Sequence, residues 1–328
     1  MNKIRLIIRK SDSVGILTIV VFICLVMSLL KPEFSTFVNI NVIARSISVM
    51  AIVALAQMVI IGMGGMNLSV GAIGGLVCVT VGALMAKMNI PIIIAVIAGL
   101  LVGLLCGFIN GLLINRIHHF TNKLNVTSFL VTLATGSLFT GINLGMTRAV
   151  PIYGIPDSFV NIGRITIGGI SLLVYLIIPV VLTVFLIMSK TGIGRQILAV
   201  GGNSKAAELS GISVSRVTIF SNMISAVLAG IAAIIFLTRL GSAQPTVGSE
   251  WLLFSFAAPL IGGTRLDGGQ INVFGTVLGA ILLALVANSM VHLQVSVYWV
   301  TFVHGIIILA AVGFERIRTI RSEERKDE

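Results

Sequence analysis

Apolar runs of roughly 20 residues, separated by short polar or glycine-rich joints, recur along the whole chain. A run of that length is what an α-helix needs to cross a hydrocarbon core about 30 Å thick. The runs lie at about 14–30, 42–62, 67–86, 91–115, 125–146, 170–189, 217–238, 251–263, 270–291 and 296–314. They predict an all-α polytopic membrane protein of about ten transmembrane segments, organised as a single domain over 1–328. The first run follows Lys3, Arg5, Arg9 and Lys10 but has no small-x-small cleavage site before Lys31-Pro32, so it reads as a retained helix and not a signal peptide. The eighth is too short for an ideal crossing helix, which leaves it either crossing or re-entering the bilayer.

Two joints are breaks within membrane-seeking sequence. Both carry Gly-Gly-x-x-Leu-x-x-Gly: Gly64, Gly65, Leu68 and Gly71 in the first, Gly262, Gly263, Leu266 and Gly269 in the second, with Gly268 beside the last. Interrupted helices in corresponding places often frame a transport pathway, and these glycines are the candidate structural glycines of such a frame. Close helix packing in lipid also favours glycine.

Composition agrees with the pattern, since 57% of residues are hydrophobic, 10% are charged and mean hydropathy is +1.10. The net charge of +11 needs no nucleic acid to explain it. With both termini in the cytosol, most Lys and Arg fall in cytosolic segments, including a charged tail over 315–328, which is the positive-inside asymmetry. Cys24, Cys78 and Cys106 lie inside apolar runs at no ligand spacing and read as packing residues.

Chemistry of other kinds lacks its residues. The carboxylates Asp12, Glu33, Asp157, Glu208, Glu250, Asp267 and those from Glu315 onward all lie outside the body of the proposed spans, which disfavours a proton relay at membrane depth. No lysine follows a glycine, so no phosphate-binding loop is present, and neither His-Glu-x-x-His nor Gly-x-Ser-x-Gly occurs. His118-His119 has no third ligand nearby, His292 reads as interfacial and His304 as packing or pore-lining. We expect no catalytic residue, no metal site and no cofactor in this chain.

The most distinctive polar island runs from Gly194 to Ile212, within a candidate cytosolic coupling element at 190–215. It predicts a short helix with Lys205 and Glu208 turned to water and Ala206, Ala207 and Gly211 offering a flat face to a cytosolic partner. This island resembles the coupling element of permease subunits in ribose-type ATP-binding-cassette (ABC) sugar importers. The resemblance continues through Thr238 to Pro245, Ala257 to Thr264 and Gly275 to Ala280, with Gly71 closing a Gly-Gly-x-Asp-Leu-Ser-Val-Gly-like motif upstream. Asn125 to Leu133 is similar to the family's Pro-Phe-Ile-x-Thr-Leu segment. Three departures fall at candidate pathway positions: Asn67 replaces the usual aspartate, Ser128 replaces the proline, and Leu252-Leu253-Phe254 replaces Glu-Leu-Asp, with Glu250 two positions early.

The resemblance implies an ABC importer permease architecture in a bacterial inner membrane. A second permease copy or paralogue would complete a dimer, a cytosolic ATPase would bind ATP and Mg, and an extracytoplasmic binding protein would deliver a sugar-like solute. Arg195, Asn203, Ala206, Ala207, Glu208 and Gly211 are the candidate coupling residues. Asn67, Ser69, Thr127, Ser128, Thr132 and Gln57 are the candidate pathway residues, because hydroxyls and amides replace water around a neutral polyhydroxylated solute. Such side chains in membrane helices also bond to their own backbone or a neighbouring helix. Arg45 and Arg239 either contact the binding protein or snorkel to outer headgroups. Tyr298 and Trp299 belong to an aromatic belt, and Trp251 anchors the short eighth segment in the same way. The rival functions are a self-contained secondary carrier or channel and an intramembrane enzyme.

Overall fold

The computed structural model describes residues 2–121, 124–296, 298–300, 302–307, 309, 310 and 313, with side chains described from Val14 onward except at 118–121. Its helices are α1 (Asn2–Leu30), α2 (Phe37–Gly62), α3 (Val70–Ala86), α4 (Ile92–Thr121), α5 (Leu124–Thr147), α6 (Asp157–Ile162), α7 (Leu172–Lys190), α8 (Gly192–Gly202), α9 (Ser204–Leu209), α10 (Val214–Leu240), α11 (Trp251–Ile261) and α12 (Val273–His292). A two-stranded hairpin, β1 (Thr166–Ile167) and β2 (Ile170–Ser171), precedes α7. Among the described residues, α2, α5, α7, α10, α12 and the Ile92–Ile117 part of α4 are long and apolar enough to cross a membrane unaided. The other apolar runs also fall on helices, shorter ones at 14–30, α3, α11 and 298–307. The charged tail at 315–328 and the side chains of His118 and His119 lie outside the described residues.

At the centre is α2, in which every residue from Ala51 to Gly62 is buried, as expected of a helix that is apolar all round. α4 places Gly103, Gly107 and Gly111 four residues apart on one face, and that face meets α10. A Cβ on Gly107 would stand 2.5 Å from the carbonyl oxygen of Asn222, and one on Gly111 2.6 Å from the Cα of Ile219. Small residues at that spacing let two backbones approach closely. The opposite face of α4 exposes Leu101, Leu105, Phe108 and Leu112, which suits contact with lipid.

Two segments cross the bundle as part helix and part irregular chain. After α2 ends beside α8, residues 63–69 climb along α5 without forming a helix, from Ser128, which bonds Met66, to Gly136, which packs on Ser69. That is about 12 Å of α5, and Gly136 lies near its middle. α3 then continues to the end of the bundle that carries the hairpin. The reverse occurs at 243–250, where a run of turns descends beside α3. Ala243, bridged to Ile152 near α6, packs on Gly82, Val247 on Gly75, and Gly248 on Gly71. Gly71 to Gly82 is about 16 Å of helix, and α11 adds about 16 Å toward the α8–α9 end. The irregular strip and α11 together match a hydrocarbon core of about 30 Å, so α11 is half of a longer segment.

Candidate translocation and coupling site

The first interruption is filled by the side chains singled out as pathway residues. Gln57, Asn67, Ser69, Thr127, Ser128 and Thr132 are all 0% exposed. With its amide suitably oriented, Gln57 donates to the Asn67 carbonyl (2.9 Å) and accepts from the Asn67 N–H (3.2 Å). The Asn67 Oδ1 accepts from the Ser69 N–H (2.9 Å) and hydroxyl (2.7 Å), and Asn110 donates to the Ser69 Oγ at 2.7 Å. Ser128 Oγ accepts from the Met66 N–H (2.9 Å) while donating to the Asn125 carbonyl (3.0 Å). Thr132 Oγ1 accepts from the Leu68 N–H (3.0 Å) and donates to the Ser128 carbonyl (2.6 Å). A helix break exposes backbone donors that apolar surroundings cannot satisfy, and these polar groups satisfy them. In this structure Gln57, Ser128 and Thr132 hold the broken backbone, Asn67 and Ser69 belong to it, and Thr127 is buried next to Ser128.

The second interruption is open. A Cβ on Gly71 would collide with the Gly248 carbonyl, and one on Gly248, whose φ is +88°, with that of Gly71. The amino ends of α3 and α11 thus meet near mid-depth. Beside this crossing opens a cavity of about 470 Å³, lined by residues including Leu133, Gly136, Ser137, Thr140, Ser249 and Leu252. None of Ser137, Thr140 or Ser249 was singled out from sequence. Their signal was the hydroxyl itself, but α5 carries hydroxyls on both sides and only packing tells them apart. Glu250, expected outside the spans, is the N-cap residue of α11 and is exposed at this level. Trp251 is corrected as well: it is 2% exposed, its ring lies against Gly74 and edge-on to Phe236, and it forms no headgroup anchor.

At the other end, α8 and α9 form the predicted short helical element. Asn203 caps α9 by accepting from the Ala206 N–H at 2.9 Å. Gly211, at φ +82°, closes it: Gly211 N–H donates to the Glu208 carbonyl (2.9 Å) and Ile212 N–H to the Ala207 carbonyl (3.0 Å). Ala207 faces the bundle at 5% exposure, so it offers no face to a partner, and Gly211 has open space around it and acts through its backbone. Lys205, Ala206 and Glu208 are exposed, as is Arg195, which donates to the Lys190 carbonyl at 3.3 Å. Leu209, which sequence reasoning passed over, is 84% exposed at the tip.

The repeated glycines do not occupy equivalent places. Gly64 (φ +81°) closes α2 and Gly263 (φ +82°) closes α11 by the same pair of backbone bonds, one position out of the register of the sequence repeat. Gly65 passes beside Ser128, Gly262 packs on the backbone of Gly275, and Gly71 lies at the mid-depth crossing. Gly268 and Gly269, both at positive φ, instead join the α8 end. Gly269 N–H donates to the Gly62 carbonyl at 3.0 Å, a Cβ on Gly268 would stand 2.7 Å from the Gly64 Cα, and one on Gly201 would collide with the Gly62 carbonyl. Three chain segments thus touch backbone to backbone, beside a cavity of about 420 Å³ whose lining includes Asn125, Asn203, Ser204 and Asp267.

The family described as the permease component of the branched-chain amino acid transport system matches residues 39–312. The chain belongs to this family. Among curated relatives, the ribose import permease of Bacillus subtilis is 37% identical over 294 residues, 89% of either chain. The D-allose transport system permease of Escherichia coli is 34% identical over 307 residues, 93% of this chain and 92% of the relative, and its L-arabinose transport system permease 32% over 311 residues, 94% and 92%. The permease is thus the membrane-spanning, multi-pass subunit of a ribose-type ABC importer, a transport component and not a catalyst. With that membership the readings as a self-contained carrier and as an intramembrane enzyme fall.

Elsewhere in the permease, Arg239 donates to Ser46 Oγ at 3.1 Å and Arg45 to the buried Ser171 at 3.4 Å, both near the hairpin end. His304 is buried edge-on to Phe254, a packing role, and His292 packs on Phe34. Tyr298 and Trp299 are exposed, as an aromatic belt requires. The three cysteines are free, and no metal-ligating cluster occurs among the described residues.

Proposed function

We propose that the permease forms, with a second copy or a paralogue, a path for a sugar-like solute through a bacterial inner membrane, driven inward by a separate ATPase. The carrying observation is the mid-depth cavity beside the Gly71–Gly248 crossing, which is lined by Ser137, Thr140 and Ser249, while backbone contacts join the interrupted segments to the α8–α9 end. Hydroxyls both donate and accept, as a neutral polyhydroxylated cargo requires, and the relatives named above are permeases for ribose, allose and arabinose. Gly141 and Gly145 on the same side of α5 have nothing within 4 Å, which supports close approach of a second permease there.

The 190–215 element is the docking site for the ATPase, which binds ATP and Mg; the permease holds no cofactor. Arg195, Ala206, Glu208 and Leu209 make the contact, while Asn203, Ala207 and Gly211 hold α9 in shape. The glycine junction of Gly62, Gly64, Gly201, Gly268 and Gly269 passes motion of α8 to both interrupted segments, because backbones in contact leave no side chain to absorb a shift. Both termini and the 315–328 tail lie on this cytosolic side. The strip 243–250 and α11 make one crossing, giving about ten in a single domain over 1–328, and the binding protein meets the hairpin end.

Affinity copurification from the native membrane, with mass spectrometry of what remains bound, tests this reading. We expect a cytosolic ATPase, with Leu209→Asp lowering its recovery at least several-fold. Recovery of the permease alone, in detergents that preserve other membrane complexes, would overturn it.

A further inference from the structure

A groove of about 420 Å³ opens on the flank of the bundle between α7 and α10. Its lining includes Val180 and Ile187 of α7 and Phe220, Val227 and Ile231 of α10, and Thr183 alone brings a hydroxyl. On α10 it runs from Phe220 to Ile231, about 16 Å, and on α7 from Pro179 to Ile187, about 12 Å. That is roughly the depth of one leaflet, half of a hydrocarbon core of about 30 Å. The groove leads toward the α8–α9 end of both helices, and each wall continues to a cation. Arg216 stands one turn before Phe220 on the same face of α10, and Lys190 follows Ile187 by one turn on the same face of α7. Both are exposed. α8 packs on α7 and on α10, which keeps these two ends together.

Neither cation has a carboxylate to pair with: α4, α7, α8 and α10 contain no Asp or Glu, and the only side-chain ion pair among the described residues is Arg265–Asp267. Arg195 adds a further positive charge at the same end, since its guanidinium donates to the Lys190 carbonyl at 3.3 Å. The positive-inside asymmetry accounts for each charge singly, and lipid covers any apolar flank. Neither accounts for a concave groove one leaflet deep whose two walls end in unpaired cations. We propose that this groove holds an acyl chain of an anionic phospholipid from the leaflet at the α8–α9 end, with the lipid phosphate between Lys190 and Arg216. An arginine fork holds a phosphate through paired hydrogen bonds and a lysine adds a point charge, whereas a zwitterionic headgroup brings its own cation among them. The groove shares no lining residue with the mid-depth cavity, so the site needs neither the solute pathway nor the ATPase.

The test uses the purified full-length permease in phosphatidylcholine vesicles, with Phe220→Trp as a fluorescent reporter at the mouth of the groove. The emission of the wild-type chain, from Trp251 and Trp299, is subtracted. Phosphatidylglycerol brominated on its acyl chains should quench the reporter at a membrane fraction about tenfold or more below that needed with brominated phosphatidylcholine. Adding Lys190→Gln and Arg216→Gln should abolish that preference. Equal quenching by the two lipids, or a preference that survives both substitutions, overturns the proposal. So does an absence of quenching, the result if a second copy of the chain covers the groove. Displacement by inorganic phosphate beyond the effect of chloride at equal ionic strength would mean a site for the free anion and overturn it as well. A second arm needs no reporter: native mass spectrometry of the permease released from mixed vesicles should find phosphatidylglycerol retained on the wild type and lost from Lys190→Gln/Arg216→Gln. Val227→Trp, which fills the groove and leaves the cations, should lose it too; retention there would show that no acyl-chain groove is involved. All of this is read on the permease alone, so failure to recover an ATPase overturns the importer reading and leaves the lipid site standing.

Discussion

The two interruptions of the bundle treat their exposed backbone in opposite ways. At 63–69 the loose N–H groups are taken up by Gln57, Ser128 and Thr132, all fully buried, and the segment's own polar side chains, Asn67 and Ser69, are buried too. At 243–250 the chain satisfies itself with tight turns, such as Val247 N–H to the Gln244 carbonyl and Ser249 N–H to that of Thr246, and leaves Thr246, Ser249 and Glu250 exposed. One interruption consumes its polar side chains for structure and the other has them to spare. An abundance of hydroxyls near a helix break is thus no guide to a pathway until their bonds have been accounted for.

The largest effect is expected where the interruptions touch. Gly248→Val adds a branched side chain where even a Cβ meets the Gly71 carbonyl, at a φ of +88° that L-residues avoid. Overpacking and the left-handed backbone together cost about 3 kcal/mol or more. The variant should fail to accumulate in the membrane, or unfold well below wild type in detergent. Normal accumulation and an unchanged melting temperature would mean that the crossing is not formed.

The next substitutions separate the closed interruption from the open one. Ser128→Ala and Thr132→Val each leave a buried N–H, of Met66 or Leu68, without its acceptor, costing about 1–3 kcal/mol in thermal unfolding while leaving the apparent affinity for solute unchanged. Thr140→Val faces the cavity and should do the reverse, shifting stability within about 0.5 kcal/mol and weakening solute affinity several-fold. If the two sets exchange behaviours, the pathway runs through 63–69 after all.

Much of the fold is legible in the chain because lipid makes hydropathy a direct reading of depth. Each apolar run falls on a helix, and the short 251–263 run with its trailing glycines announces an incomplete helix, α11. The completing half at 243–250 stays hidden, since Ala243 to Glu250 has neither helical periodicity nor a long apolar run. Facing is the other loss. α5 carries Thr127, Ser128, Thr132 and Thr135 on its buried side and Ser137 and Thr140 on its open side, and no hydropathy pattern distinguishes these hydroxyls. Ala207 and Trp251 are misread for the same reason: six residues of α9 are too few to show a periodicity, and a tryptophan at a helix start looks the same whether it meets headgroups or Gly74.

The smallest effect sharpens the link between the interruptions and the ATPase. Gly211 stands at φ +82° with nothing within 4 Å of an added Cβ, so the backbone and not crowding decides what it tolerates. Gly211→Ala should cost about 1 kcal/mol, the strain of a left-handed alanine, and Gly211→Asn less, since asparagine visits that region readily. Both losses fall on α9, whose carboxyl end is closed by backbone bonds from Ser210, Gly211 and Ile212. If α9 must be rigid to move α8 and, through Gly201, both interruptions, then Gly211→Ala lowers solute uptake per ATP hydrolysed in reconstituted vesicles and Gly211→Asn restores most of it. Equal coupling in both variants, with α9 measurably loosened by hydrogen exchange, would show that the contact transmits without a stiff α9 and that Leu209 and the exposed turn of α9 carry the load alone.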